Sequence, residues 1–143
     1  MLRLIIIFYF VFSTLASEEY FLSLRNDKVN LRLGPSFDYP IKIIYKKKYL
    51  PVLIKEKSEN FRKIQDHENN SGWIHISQLS KKKSVITLKD LILYNRPTIY
   101  SKPLAKIEIG RLLLILKCKK EWCKIKTGDF SGWIKREKIW GKF

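Results

Sequence analysis

Short runs of apolar and β-branched residues recur along residues 17–143, and turn residues separate them. The clearest runs lie at residues 41–45, 49–54, 104–109 and 112–116. Strand-like runs with turn residues every 8–12 positions are typical of small all-β barrels. No long stretch has the 3.6-residue spacing of an amphipathic helix. The pattern therefore predicts an all-β chain, with residues 20–24 and 85–88 as further strands.

The same ordered set of motifs occurs twice, which predicts an internal duplication. In each half a turn-rich loop precedes two strand-like runs, a short aromatic strand and a Ser-Gly-Trp-Ile sequence. The paired segments are 29–36 with 93–98, 41–54 with 104–116, 61–64 with 122–125, and 71–74 with 131–134. The offset between the halves falls from 63 to 60 residues, which requires only small loop deletions. We therefore expect two small barrels in tandem.

The first 16 residues have the features of a cleavable signal peptide. Arg3 precedes an apolar run at residues 4–12, and the small residues Thr14 and Ala16 predict cleavage after Ala16. The run is shorter than the roughly 20 apolar residues of a membrane span, and a short uncleaved anchor is the alternative. The predicted organisation is a signal peptide at 1–16, a first barrel at 17–80, a linker at 81–84 and a second barrel at 85–143.

The chain is strongly basic, with 29 Lys and Arg against 13 Asp and Glu and a net charge of +16. Such a charge favours anionic partners. The 22 Lys and 19 Ile beside only 2 Ala also match the codon drift of an AT-rich genome, and both explanations stay open. Export to the periplasm or beyond argues against nucleic acid as a partner. A cell-wall polymer, an envelope protein and, as a further possibility, the membrane surface remain.

The motifs resemble those of the bacterial SH3-like (SH3b) domain. The residues that carry the resemblance are Val-Asn-Leu-Arg-Leu-Gly-Pro-Ser at 29–36 and Ser-Gly-Trp-Ile at 71–74 and 131–134. More narrowly, the chain resembles exported tandem-SH3 proteins of alphaproteobacteria, through residues 40–42, 50–52, 118–123 and 139–141. The resemblance covers nearly all of residues 17–143. It implies two SH3-like barrels and no assigned reaction.

The two cysteines are placed to form a disulfide across a hairpin. A two-residue turn at Lys120 and Glu121 sets Cys118 opposite Cys123, where Cβ atoms of a non-hydrogen-bonded pair approach to about 4.5 Å. Simple alternation puts Cys118 on one face with Leu112, Leu114 and Leu116, and Cys123 on one face with Ile125. The spacing differs from the redox Cys-x-x-Cys motif, and two thiols are half of a tetrahedral zinc site.

No residue pattern predicts catalysis, a metal or a cofactor. His67 belongs to a polar turn and His75 to a strand, and both are expected to face solvent. Asp66 and Glu68 are acidic residues of a kind that turns favour. A glycine-rich phosphate loop is absent from the sequence. We expect a protein that is not an enzyme.

Two sets of aromatic residues are candidates for packing or binding. Trp73 and Trp133 hold equivalent positions before a strand, so we expect them in the cores. Phe37, Tyr39 and Tyr45 lie on or beside the long first loop, close in sequence to Lys46, Lys47 and Lys48. Rings beside cations bind sugars or peptides that carry carboxylates, although covering the barrel end is the simpler role.

The sequence favours a non-catalytic exported protein that binds peptidoglycan or another anionic envelope polymer. The alternative is a periplasmic adaptor that binds a peptide of an envelope protein. A wall hydrolase is disfavoured because no residues remain for a hydrolase domain.

Overall fold

The computed structural model describes residues 18–143 and the isolated residues Tyr9, Val11 and Ser13. Apart from those three, the predicted signal peptide at 1–16 and its cleavage site lie outside the described residues. The described chain is all-β, as the pattern of apolar runs predicts, and its one helical segment is a single 3-10 turn at Ile76–Gln78.

Within residues 18–143, fourteen strands form two sheets of seven. The first sheet, here the first barrel, contains β1 Tyr20–Leu24, β2 Val29–Arg32, β3 Ile41–Tyr45, β4 Pro51–Ser58, β5 Phe61–Gln65, β6 Ser71–His75 and β7 Leu79–Ser80. The second barrel contains β8 Ser84–Thr87, β9 Leu91–Tyr94, β10 Pro103–Ile107, β11 Leu112–Lys119, β12 Trp122–Thr127, β13 Phe130–Lys135 and β14 Ile139–Gly141.

The two sheets have the same topology, which confirms the duplication. Their strand orders are β3-β2-β6-β5-β4-β1-β7 and β10-β9-β13-β12-β11-β8-β14. The register is also repeated, because Trp73 pairs with Lys63 as Trp133 pairs with Lys124. Two tandem SH3-like barrels are therefore the architecture of this protein.

Every strand of each sheet contributes to one apolar core, so each sheet bends around its own interior. The first core contains Leu24, Val29, Leu31, Tyr45, Leu50, Val52, Ile54, Ile64, Ile74 and Leu79, and Ile86 and Leu112 of the second barrel pack against it. The second core contains Val85, Leu91, Leu93, Ile107, Leu113, Ile115, Cys123, Ile125 and Ile134. The first core thus extends across the junction between the barrels.

A β-bulge at Leu116 corrects the alternation that the sequence predicts for β11. The register with β12 shifts between Ile115 and Lys117, so that Leu116 has no partner. Leu113 and Ile115, rather than Leu112 and Leu114, are the buried core residues of this strand. The extra residue then returns Cys118 to the core side. An equivalent shift lies between Ile54 and Glu56 in β4.

The disulfide between Cys118 and Cys123 is confirmed. The two residues are a directly opposed pair with a Cα–Cα distance of 4.0 Å, and Lys119 pairs with Trp122 beside the turn. Lys57 and Arg62 form the equivalent pair of the first barrel, which has no disulfide there. The disulfide therefore staples one hairpin of the second barrel only.

The Gly-Trp dipeptides place the glycine on the inward face of the sheet and the tryptophan on the opposite face, where Trp133 is buried as expected and Trp73 is only half-buried. A Cβ on Gly72 would lie 2.7 Å from the Arg32 carbonyl oxygen, and one on Gly132 would lie 2.7 Å from that of Tyr94. Ile74 and Ile134 share the inward face with these glycines. Both tryptophans therefore pack outside the two apolar clusters described above.

The barrels pack directly against each other, and the linker between them is one residue shorter than predicted. Ser84 is the first residue of β8 rather than part of the linker, and its buried hydroxyl donates a hydrogen bond to the Tyr49 carbonyl oxygen. Phe21 of β1 contacts Trp140 of β14 edge to face. Residues 81–83 therefore join two units that share an apolar interface.

Candidate functional site

Three aromatic rings of the first barrel form a cluster beside an open cleft. Phe61 begins β5 and is directly opposite His75, the last residue of β6. Phe37 reaches over both from the loop between β2 and β3, with its ring centroid 5.2 Å from that of Phe61 and 5.1 Å from that of His75. Phe37 keeps 64% of its surface exposed, so this ring is available to a ligand.

Polar groups complete the cleft, whose volume is about 300 Å³. The Arg32 guanidinium lies 5.4 Å from the Phe37 ring centroid and donates hydrogen bonds to the carbonyl oxygens of Phe37 and Tyr39. Lys28 and Gln78 line the rim, and the buried Oδ1 of Asn30 has no hydrogen-bond partner among the described residues. The cleft therefore offers ring faces and cations within one site.

His75 is held by its own backbone turn rather than facing solvent freely. Its side chain accepts a hydrogen bond from the Ser77 backbone N–H and caps the 3-10 turn at Ile76–Gln78. The ring also packs against Phe37 at a tilt of 31° and against Phe61 edge to face. The fixed imidazole ring helps to position the aromatic cluster. His75 is half-buried, which corrects the expectation of an exposed side chain.

The structure separates the candidate residues that the sequence groups together. Phe37 and Tyr39 lie before β3, and the Tyr39 ring packs against Gly34. Lys46, Lys47 and Lys48 are exposed in the turn after β3, about 15 Å away along this five-residue strand. Only Phe37 of this set reaches the cleft, and Lys47 instead lines a hollow beside the second barrel.

Tyr45 is a core residue, which corrects its assignment to a binding site. It is 9% exposed, and its hydroxyl donates a 2.8 Å hydrogen bond to Asp66 Oδ2. Burial, this hydrogen bond and the nearby charges of Asp66 and Glu68 raise the pKa of the Tyr45 phenol. Tyr45 faces inward because it pairs with Val29 on the core side of the sheet.

Asp66 organises the turn between β5 and β6. Burial of its carboxyl raises the pKa, but hydrogen bonds from the Asn70 side chain, Tyr45 and the backbone N–H groups of Asn70 and Glu68 outweigh this and hold the pKa below its ordinary value. Its role is therefore structural. His67 in the same turn is less solvated than expected, with 22% of its side chain exposed.

Sequence reasoning missed Arg32, Phe61 and His75 as neighbours of Phe37. The pairing of Phe61 with His75 follows from the register that sets Ile64 opposite Gly72, so the Ser-Gly-Trp-Ile motif contains the necessary signal. The position of Phe37 depends on a loop conformation that no local pattern specifies.

Among residues 18–143, no three His, Cys, Asp or Glu side chains come together as a metal site requires. No helix in the described part of the chain has the length and apolar character to cross a membrane.

The family model of the bacterial SH3 domain matches residues 25–81 and 89–141. The two matched segments cover most of the two sheets. The chain therefore belongs to the bacterial SH3 domain family. No curated protein matches its sequence.

Several solved structures are similar to the chain at 13% sequence identity. NlpC2 and NlpC1 from Trichomonas vaginalis each give a TM-score of 0.40, with 87% and 91% of this chain and 49% and 48% of those chains covered. An NlpC/P60 family protein from Bacillus cereus gives a TM-score of 0.37, with 84% of this chain and 55% of that chain covered. The chain spans about half the length of these proteins.

Proposed function

We propose that this protein is a non-catalytic, exported binding protein that contacts peptidoglycan or another anionic polymer of the cell envelope. Bacterial SH3 domains usually bind cell wall, and this chain contains two of them. The net charge of +16 favours an anionic polymer. The signal-peptide features of residues 1–16 support export, and the closer resemblance to exported tandem-SH3 proteins of alphaproteobacteria belongs to the same proposal.

The cleft beside Phe37 is the observation that carries the proposal. An exposed aromatic ring stacks on the apolar face of a sugar or on a peptide plane, and Arg32 beside it attracts carboxylates. Such a mixture of ring faces and a few polar groups is what saccharide and peptide sites require.

Co-sedimentation with isolated peptidoglycan sacculi tests the proposal. We expect the purified protein to pellet with sacculi, and Phe37→Ala to lose most of this binding while the fold is retained. Phe130→Ala is the matched control, because Phe130 is similarly exposed at 58% but lies in the second barrel. Failure of the unaltered protein to pellet would refute peptidoglycan as the ligand. Equal loss of binding in both variants would show that the Phe37 cleft is not the binding site.

A periplasmic adaptor that binds an envelope partner's peptide is the second candidate. The edge strand β3 favours it, because β3 ends the first sheet and exposes Ile41 and Ile44 to 43% and 44%. An extended peptide adds to such an edge through backbone hydrogen bonds. Crosslinking in intact envelopes with mass identification separates the candidates, since an adaptor yields a protein adduct and a polymer-binding protein yields glycan fragments.

A further inference from the structure

We propose that the outer face of the second barrel binds an acidic glycan. Five lysines on β11, β12 and β13 point outward from the sheet and define this lysine face: Lys117, Lys119, Lys124, Lys126 and Lys135. The assignment to one face follows from the register, which sets Lys117 opposite Lys124 and Trp122 opposite both Lys119 and Lys135.

The lysine face has no internal charge partner. Lys117 and Lys124 are directly opposed across neighbouring strands, an arrangement in which like charges destabilise a sheet. None of the ion pairs among the described residues includes a lysine of this face. Carboxylates of the same region lie in turns, at Glu121, Asp129 and Glu137. A bound polyanion would supply the missing counter-charges.

The first barrel shows that the fold does not require these lysines. Glu56 occupies the position of Lys117 and forms an ion pair of 3.8 Å with Lys63, the equivalent of Lys124. Ser58, Gln65 and His75 occupy the positions of the other three lysines. These five positions therefore carry almost no net charge in the first barrel, whereas they hold five lysines without ion pairs in the second. The positive charge of this surface is a property of the second barrel alone.

The aromatic residues beside the lysines favour a sugar polymer over a lipid surface. Lys117 Nζ lies 5.6 Å from the ring centroid of Trp133, which holds the ammonium over the sheet. Tyr94 and Trp122 contact each other edge to face and are both half-buried. Half-buried rings contact a chain lying along the surface, whereas anchoring in a bilayer requires several apolar side chains that project. On β11, β12 and β13 only Leu116 at the bulge and Phe130 at the start of β13 are exposed large apolar residues.

This inference rests on the proposed function only in one respect, namely that the exported protein meets such a polymer in the cell envelope. It adds a second site to the Phe37 cleft and names the ligand chemistry, a saccharide chain bearing carboxylate groups.

Lys117→Glu is the decisive variant, because it installs the residue type that the first barrel has at the equivalent position. Polygalacturonate oligosaccharides serve as the probe, with dextran as the uncharged control and binding followed by calorimetry at low salt. We expect the unaltered protein to bind polygalacturonate and not dextran, and Lys117→Glu to weaken binding about tenfold through loss of charge-assisted contacts. The melting temperature should stay unchanged or rise, because the introduced carboxylate can pair with Lys124. A melting temperature that does not fall excludes misfolding as the cause of the weaker binding.

Lys89→Glu is the matched control, since it makes the same charge change in the second barrel at an exposed position before β9, away from the face. Equal weakening by both variants would overturn the proposal in favour of diffuse net charge. Binding to phosphatidylglycerol vesicles with none to polygalacturonate would overturn it in favour of a membrane. A loss of sacculus binding in Phe37→Ala with no effect of Lys117→Glu on polygalacturonate would reject this inference alone. Absence of sacculus binding with an intact Lys117 effect would reject peptidoglycan as the ligand and leave this inference in place.

Discussion

Phe21 of the first barrel and Trp140 of the second meet edge to face, with ring centroids 5.1 Å apart and planes at 86°. Ile86 and Leu112 pack into the first core from the same side of the junction. Apolar contacts of this kind tie the stability of one barrel to that of the other. We therefore expect the two barrels to unfold as one cooperative unit rather than as two independent domains joined by a linker.

Trp140→Ala should uncouple the two barrels. Loss of a large half-buried ring costs about 2–3 kcal/mol, below the range for a fully buried tryptophan. We expect one cooperative transition by calorimetry for the unaltered protein and two separated transitions for the variant. A single, merely lowered transition would contradict the coupling role.

Trp140→Phe is the informative companion to that experiment. Trp140 Nε1 is buried without a hydrogen-bond partner among the described residues, so the indole carries an unsatisfied donor. A phenyl ring keeps the contact with Phe21 and removes that donor. We expect Trp140→Phe to retain the single transition with a melting temperature close to that of the unaltered protein.

Asp66 should make the stability of the first barrel depend on acidity. Its folded pKa lies below the unfolded value of about 3.9, so its contribution is present above that value and is lost as the pH falls through the folded pKa. Urea unfolding at several pH values should show the free energy of unfolding declining below about pH 4. Asp66→Asn should lower stability at neutral pH and flatten this decline, whereas Asp38→Asn in an exposed loop should leave it in place.

Gly72 and Gly132 should not tolerate a side chain. A Cβ at either position would come within 2.7 Å of a backbone oxygen on the neighbouring strand, which cannot move without disturbing the sheet. We expect Gly132→Ala to cost about 1–3 kcal/mol in urea unfolding, as overpacked sites do, and Gly72→Ala to behave alike. Ser131→Ala, one residue away and exposed, should change stability little; a similar loss there would contradict the close-approach explanation.

Reduction of the disulfide should weaken the protein modestly. The bridge closes a loop between residues five apart in sequence, for which chain-entropy arguments give roughly 2 kcal/mol. We expect the melting temperature to fall by up to about 10 °C on reduction, with the fold retained at room temperature. Unfolding on reduction at about 25 °C would show that the hairpin has a larger role than the loop length implies.

The strands and the disulfide were predictable because they depend on local periodicity and on the spacing of Cys118 and Cys123. The core side of β11 was not, because the bulge at Leu116 inserts one residue without any turn residue to mark it. Tyr45 was misassigned for a related reason. Alternation in β3 groups Ile41, Ile43 and Tyr45, but only pairing with β2 shows which face is buried.

The cleft was the least predictable part of the molecule. Its rings come from a loop, from β5 and from β6, so the cluster exists only after the sheet has formed. The lysine face has a different origin, since each lysine is visible in the sequence but the row they form depends on the shifted register after the bulge.

Tyr20 and Phe143 line the same groove, so the two ends of the described fold lie close together. A short linker between them would exchange the order of the barrels if the chain were opened at residues 81–83. In such a circular permutant every strand pairing would be kept, because each sheet is built from seven consecutive strands. The packing of the two barrels therefore does not depend on which barrel comes first along the chain.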